Sequence, residues 1–155
     1  MNLHPYCEPI AMLLGTWRGE GRGFYPTISD FTYTEEVVFG HVGKPFLTYS
    51  QRTWDPATEA PMHAETGFWR CAEQGTLEVL LVHPFGLAEV STGRVEGETV
   101  SVSTIATVPV PSAKVVSEVT RTLTVGSGVL TYEISMAAVG EPLQAHLEGR
   151  LEKIG

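Results

Sequence analysis

Cysteine is scarce in this chain: Cys7 and Cys71 are the only two among 155 residues. Two thiols cannot build a disulfide framework, and neither sits in a CxxC or CxxCH motif. Basic residues are also few, 10 Lys and Arg against 18 Asp and Glu, for a formal net charge of −8. That balance argues against nucleic acid as a partner, because phosphate binding needs a basic face to displace counterions. It equally disfavours a membrane partner with an anionic surface. No apolar run reaches the ~20 residues of a membrane helix. Met1-Asn2-Leu3-His4-Pro5 lacks the basic-then-apolar order of a secretory signal. Low-complexity tracts, internal repeats and linkers are missing as well. The expectation is a reduced, cytoplasmic protein with one domain over residues 1–155, a length that buries an adequate core without staples.

What is present is strand-forming sequence. Glu8 to Leu14 is too short for a major helix and predicts one or two turns closing one end of the core. After Gly15, Val, Thr, Tyr and Phe are abundant, and Gly, Pro, Asn or Asp interrupt at short intervals. The expected strands cover 15–24, 32–40, 45–54, 62–71, 76–82, 86–96, 99–107, 113–125, 129–138 and 142–153. Within 129–136, Leu130, Tyr132, Ile134 and Met136 alternate with Thr131, Glu133 and Ser135, which gives one buried and one wet face. Ten short strands in about 150 residues are too many for an ordinary sandwich. The predicted fold is all-β: an antiparallel up-and-down barrel of the lipocalin and fatty-acid-binding type, closed on itself around a ligand cavity.

Few motifs stand out. Gly15-Thr16-Trp17-Arg18-Gly19-Glu20-Gly21 reads GxWxGxG, a strand whose Trp17 plugs the barrel and whose Gly15, Gly19 and Gly21 allow close crossing. It has neither the spacing of a phosphate loop nor a following helix. Tyr25-Pro26-Thr27-Ile28 reads on pattern as a plain turn out of the first strand, the functional alternative being a Thr27 hydroxyl at a cavity mouth. The histidines are His4, His41, His63, His83 and His146, with no HxH, HxxxH or HExxH pair, so sequence spacing lends a zinc site little support. No Gly-x-Ser-x-Gly elbow is present, and hydrolase chemistry has little support. Strict alternation puts His146 with Gln144, Glu148 and Arg150 on a solvent face. An inward His146 requires a bulge or an unfilled interior. Met62, His63 and Met136 are candidate cavity liners, although core packing explains a methionine equally well. Lys114, expected at a strand start near the rim, suits a ligand carboxylate or simple solvation.

Taken together, these blocks resemble the nitrobindin family over residues 12–153. The resemblance rests on Leu14 to Gly21, Tyr25 to Ile28, Glu35-Glu36-Val37, His41 to Pro45, Pro61 to Gly67, Ala113-Lys114, Met136, and Pro142-Leu143-Gln144-Ala145-His146-Leu147, in that order. It implies a ten-stranded barrel holding one non-covalent haem b, with His146 as the axial iron ligand. It further implies haem contacts at Thr27 and Lys114, cavity positions at Met62, His63 and Met136, and ferric iron that binds NO and isomerises peroxynitrite to nitrate. The ligands implied are therefore small molecules, and a homodimer is compatible with them. Histidine is a usual haem ligand, and the lack of CxxCH fits haem b. Two other functions remain open at this point. One is a non-catalytic carrier of a fatty acid or similar hydrophobic molecule, and the other is an NO or haem sensor.

Overall fold

The computed structural model describes residues 1–155. Ten antiparallel strands close into a single barrel, each paired with its sequence neighbours and the last with the first. They are β1 (Gly15–Tyr25), β2 (Ile28–His41), β3 (Phe46–Trp54), β4 (Pro61–Cys71), β5 (Thr76–His83), β6 (Leu87–Glu96), β7 (Thr99–Pro109), β8 (Val116–Gly126), β9 (Val129–Ala138) and β10 (Gln144–Lys153). This is the expected architecture, and two boundaries differ instructively. Strand β2 begins at Ile28, because Pro26 and Thr27 form a two-residue turn that sets Tyr25 opposite Ile28. Strand β8 begins only at Val116, which corrects the placement of Lys114. That lysine lies in the β7–β8 loop, where Ala113 N–H bonds back to Val110 C=O at 3.0 Å and delays the ladder.

The N-terminal turns are a 3-10 helix, Pro5–Leu13, that starts earlier than expected. Pro5 suits a first helical position, and the His4 side chain caps it by accepting from Tyr6 N–H at 3.1 Å. The helix seals one end of the barrel with Cys7, Ile10 and Leu13, none of which is exposed. Trp17 completes the seal. It is buried, and its indole N–H donates to Leu13 C=O at 2.8 Å, so the strand residue also terminates the helix. Cys7 and Cys71 are both free and buried at this closed end, where burial pushes both thiols above the usual range.

Closure rests on close backbone approach along β1. A Cβ on Gly19 would lie 2.0 Å from the Arg150 carbonyl oxygen. One on Gly21 would lie 2.3 Å from the Tyr33 ring. Strand β1 thereby pairs with β10 from Trp17 opposite Lys153 to Gly23 opposite Leu147. All five connections from an odd to an even strand lie at the other end, which is open.

Candidate functional site

His146 lies near the start of β10, at that open end. The β9–β10 register breaks there: Ala145 faces Ser135 and Leu147 faces Ile134, leaving His146 as the extra residue of a bulge. The bulge changes the parity of the strand. Gln144 pairs with inward Met136, whereas beyond the bulge it is Leu147, Gly149 and Leu151 that share the inner face. Strict alternation therefore misplaces His146, and the correction has a plain cause in one unpaired residue. Glu148 stays outside, in an ion pair with Arg22.

The imidazole is fixed by its neighbours. Its Nδ1 sits 3.0 Å from the Phe24 carbonyl, which accepts a hydrogen bond and so assigns the ring proton to Nδ1. Nε2 then carries a lone pair and has no protein partner. Tyr25 packs edge-on at a ring distance of 5.4 Å. The Tyr25 hydroxyl is anchored in turn, donating to Met136 C=O and accepting from Ala138 N–H, both at 3.0 Å. Partial burial pushes the His146 pKa down, with a smaller downward push from His63, and together they outweigh the Phe24 bond. The neutral, metal-binding form is favoured. A second residue supports this orientation, the arrangement usual for a ligating histidine.

The other expected site residues gather at the same end. Thr27 is exposed in the β1–β2 turn and Lys114 is exposed in the β7–β8 loop. Met62 is exposed and His63 half-buried at the start of β4, and Met136 is half-buried on β9. Exposed apolar side chains ring this mouth: Ile28, Met62, Phe85, Val108, Val110 and Leu143. So much apolar surface at an open barrel end, around an imidazole with a free nitrogen, fits a flat hydrophobic group bound through a metal. The GxWxGxG residues Gly15, Trp17, Gly19 and Gly21 stand apart, building the closed end and the seam.

A buried polar network was not foreseen. Arg121 on β8 holds Glu89 in a two-pronged bond, 3.0 and 3.1 Å, and lies 3.5 Å from Glu65. Tyr49 donates to Glu65 at 3.0 Å. His83 bonds to Glu89 through Nε2, and its Nδ1 lies 3.2 Å from His63 Nε2. Deeper in, Glu35 accepts from Tyr132 at 2.6 Å and Gln51 at 2.7 Å. Burial pushes Glu65 up, but Arg121, His63 and His83 outweigh it and hold its carboxyl at about 2. Glu35 has no such cation in contact, and burial raises it to about 7. A signal for this network existed in the sequence. His63 and Glu65 are in phase with buried Trp69 and Cys71, Glu35 with Val37 and Phe39, and Arg121 with Leu123 and Val125.

Comparison with known proteins finds relatives over nearly the whole chain. The family described as "THAP4-like, heme-binding beta-barrel domain" matches residues 6–153. Peroxynitrite isomerase 2 of Mycobacterium marinum is 45% identical, over 98% of this chain and 97% of its own length. A peroxynitrite isomerase of Arabidopsis thaliana is 41% identical, over 98% of this chain and 91% of its own. The crystal structure of Rv2717c from M. tuberculosis shares the fold with a TM-score of 0.93 at 40% identity, covering 99% of this chain and 100% of that one.

Proposed function

The chain belongs to the family of THAP4-like, haem-binding β-barrel domains, and on that ground we propose that it isomerises peroxynitrite to nitrate at a haem b held by His146. The observation that supports this reading is the His146 imidazole itself: Nδ1–H tied to the Phe24 carbonyl, Nε2 bare, at a bulge facing an apolar mouth. The function of the M. marinum and A. thaliana relatives, as their names give it, is the same isomerisation. When bound, ferric haem supplies the redox-active iron for the rearrangement and for NO binding.

The protein's own residues have distinct tasks. His146 would ligate the iron, Phe24 and Tyr25 fix its ring, and the apolar rim of Ile28, Met62, Phe85 and Leu143 would cover the porphyrin and keep bulk water from it. Met136 and His63 line the interior side. Thr27 and Lys114 lie on loops at the rim, where the lysine ammonium can meet a propionate. The barrel walls would shield the site from bulk solvent. A fatty-acid carrier is less well supported, because an interior carboxylate needs a free cation and Arg121 is already held by Glu89 and Glu65.

No helix is long and apolar enough to cross a membrane. Unpaired Cys7 and Cys71 support a cytoplasmic location. Phe68, Leu80 and Val82 form an exposed apolar stripe on the outer wall, which supports a homodimer; light scattering tests it, with a dimer expected for the parent and a monomer for F68E.

Titration with hemin tests the central reading. The parent chain is expected to give a Soret band at one equivalent and to accelerate peroxynitrite decay to nitrate in stopped flow. His146→Ala should lose both while keeping its melting transition. An unaltered spectrum in that variant would remove His146 as the ligand, and loaded protein no faster than buffer would remove the isomerase activity.

A further inference from the structure

We propose a second metal site in this barrel, a non-haem site for a divalent first-row transition ion held by His63 Nε2, Glu65 Oε1 and His83 Nδ1. The site rests on these three side chains alone and stands whether or not His146 binds haem. His63 and Glu65 are two apart on β4, so they share its inner face, and His83 ends the neighbouring strand β5. Their three atoms lie 3.2 Å (His63 to His83), 3.3 Å (His63 to Glu65) and 3.8 Å (His83 to Glu65) from one another. Atoms so spaced share a point about 2.0 Å from each, the length of a zinc–nitrogen or zinc–oxygen bond. The same separations are near the ~3.4 Å edge of a tetrahedral site with bonds of about 2.1 Å, with the fourth position left open.

Proton counting favours a cation at that point. His83 Nε2 faces Glu89; a ring that donates its single proton there presents a lone pair at Nδ1. Glu65 Oε1 is a second acceptor. His63 Nε2 has at most one hydrogen and cannot serve both. A metal ion satisfies all three atoms, and the His63 proton moves to its Nδ1, which has no protein partner. Charge agrees: the carboxylates of Glu65 and Glu89 outnumber the one guanidinium, Arg121, beside them.

The outer contacts are those of an assembled metal site rather than a chance cluster. Glu89 orients His83 in a carboxylate–histidine–metal relay, itself clamped by Arg121. Tyr49 and Arg121 hold the other oxygen of Glu65. Two histidines and one carboxylate are a set used for zinc and for non-haem iron(II).

The test uses the full-length, tag-free protein stripped with chelator, with and without hemin. Cobalt(II) is expected to bind at one equivalent per chain with the intense visible d–d bands of a four-coordinate site. Zinc should displace it and raise the melting temperature. His63→Ala and His83→Gln should weaken zinc binding at least 100-fold. Glu89→Gln, which only orients His83, should weaken it about 10- to 100-fold. His63 is one-third exposed, so His63→Ala decides the question if His83→Gln does not fold. Cobalt spectra of a six-coordinate aquo ion, or zinc affinity equal in the parent and His63→Ala, would overturn the proposal.

Discussion

At the scale of single residues, the interior depends on matched charges. Arg121 is the only cation among the buried residues, and it faces Glu89 and Glu65. Removing it strands two buried carboxylates, so Arg121→Met should cost about 3–5 kcal/mol of stability at neutral pH in urea unfolding. Tyr25→Phe is a milder change. It leaves the Ala138 N–H without its partner and should cost about 2 kcal/mol by the same measurement. It should also loosen the His146 ring, seen as a broadened Soret band. Tyr25 could not be read as an anchor from sequence, because its partners are backbone groups 111 and 113 residues away. Trp17 could, because its task is set by its size and its place on the first strand.

At the scale of elements, the strand pattern was legible nearly throughout, since every turn is marked by Gly, Pro or Asp and most strands alternate. Pattern reasoning failed at β10, where one bulge residue reverses the faces. No residue type encodes that bulge: Ala145, His146 and Leu147 would all sit comfortably in a regular strand. It missed the polar interior for a related reason, because in-phase charges such as Glu65 and Arg121 look like errors in alternation until each is seen to face the other. The β1–β10 seam offers a sharp test. Gly19→Ala drives a methyl group into the Arg150 carbonyl, and overpacking of this kind costs about 1–3 kcal/mol. Hydrogen exchange should rise first along β1 and β10, whereas β5 and β6 should be unaffected; uniform loosening would show that the seam is not a separate unit.

At the scale of the whole molecule, stability should vary with pH in a way set by the buried carboxyls. Glu35 titrates near 7 when folded against an ordinary 4.5, so the native state holds its proton more tightly than the unfolded chain. Its contribution is complete below about pH 4.5 and is lost as pH rises to 7, on the order of 3 kcal/mol. Glu65 has the opposite sign and loses its contribution as pH falls from 4.5 towards 2. Urea melts from pH 5 to 8 should therefore show a falling stability in the parent that is reduced in Glu35→Gln; identical slopes would remove Glu35 as the source. The topology sets a further condition on the same molecule. Strand β10, which holds His146, is the strand that joins both β9 and β1. The bulge forms with the β9–β10 hairpin, but the Phe24–His146 bond does not exist until the first strand has met the last. A chain emerging from the ribosome thus cannot orient the proposed haem ligand His146 while only its first nine strands are available, and pairing this distant in sequence is slow to form. Haem loading at the proposed site would follow synthesis, and the chain would compete for haem only as a finished molecule.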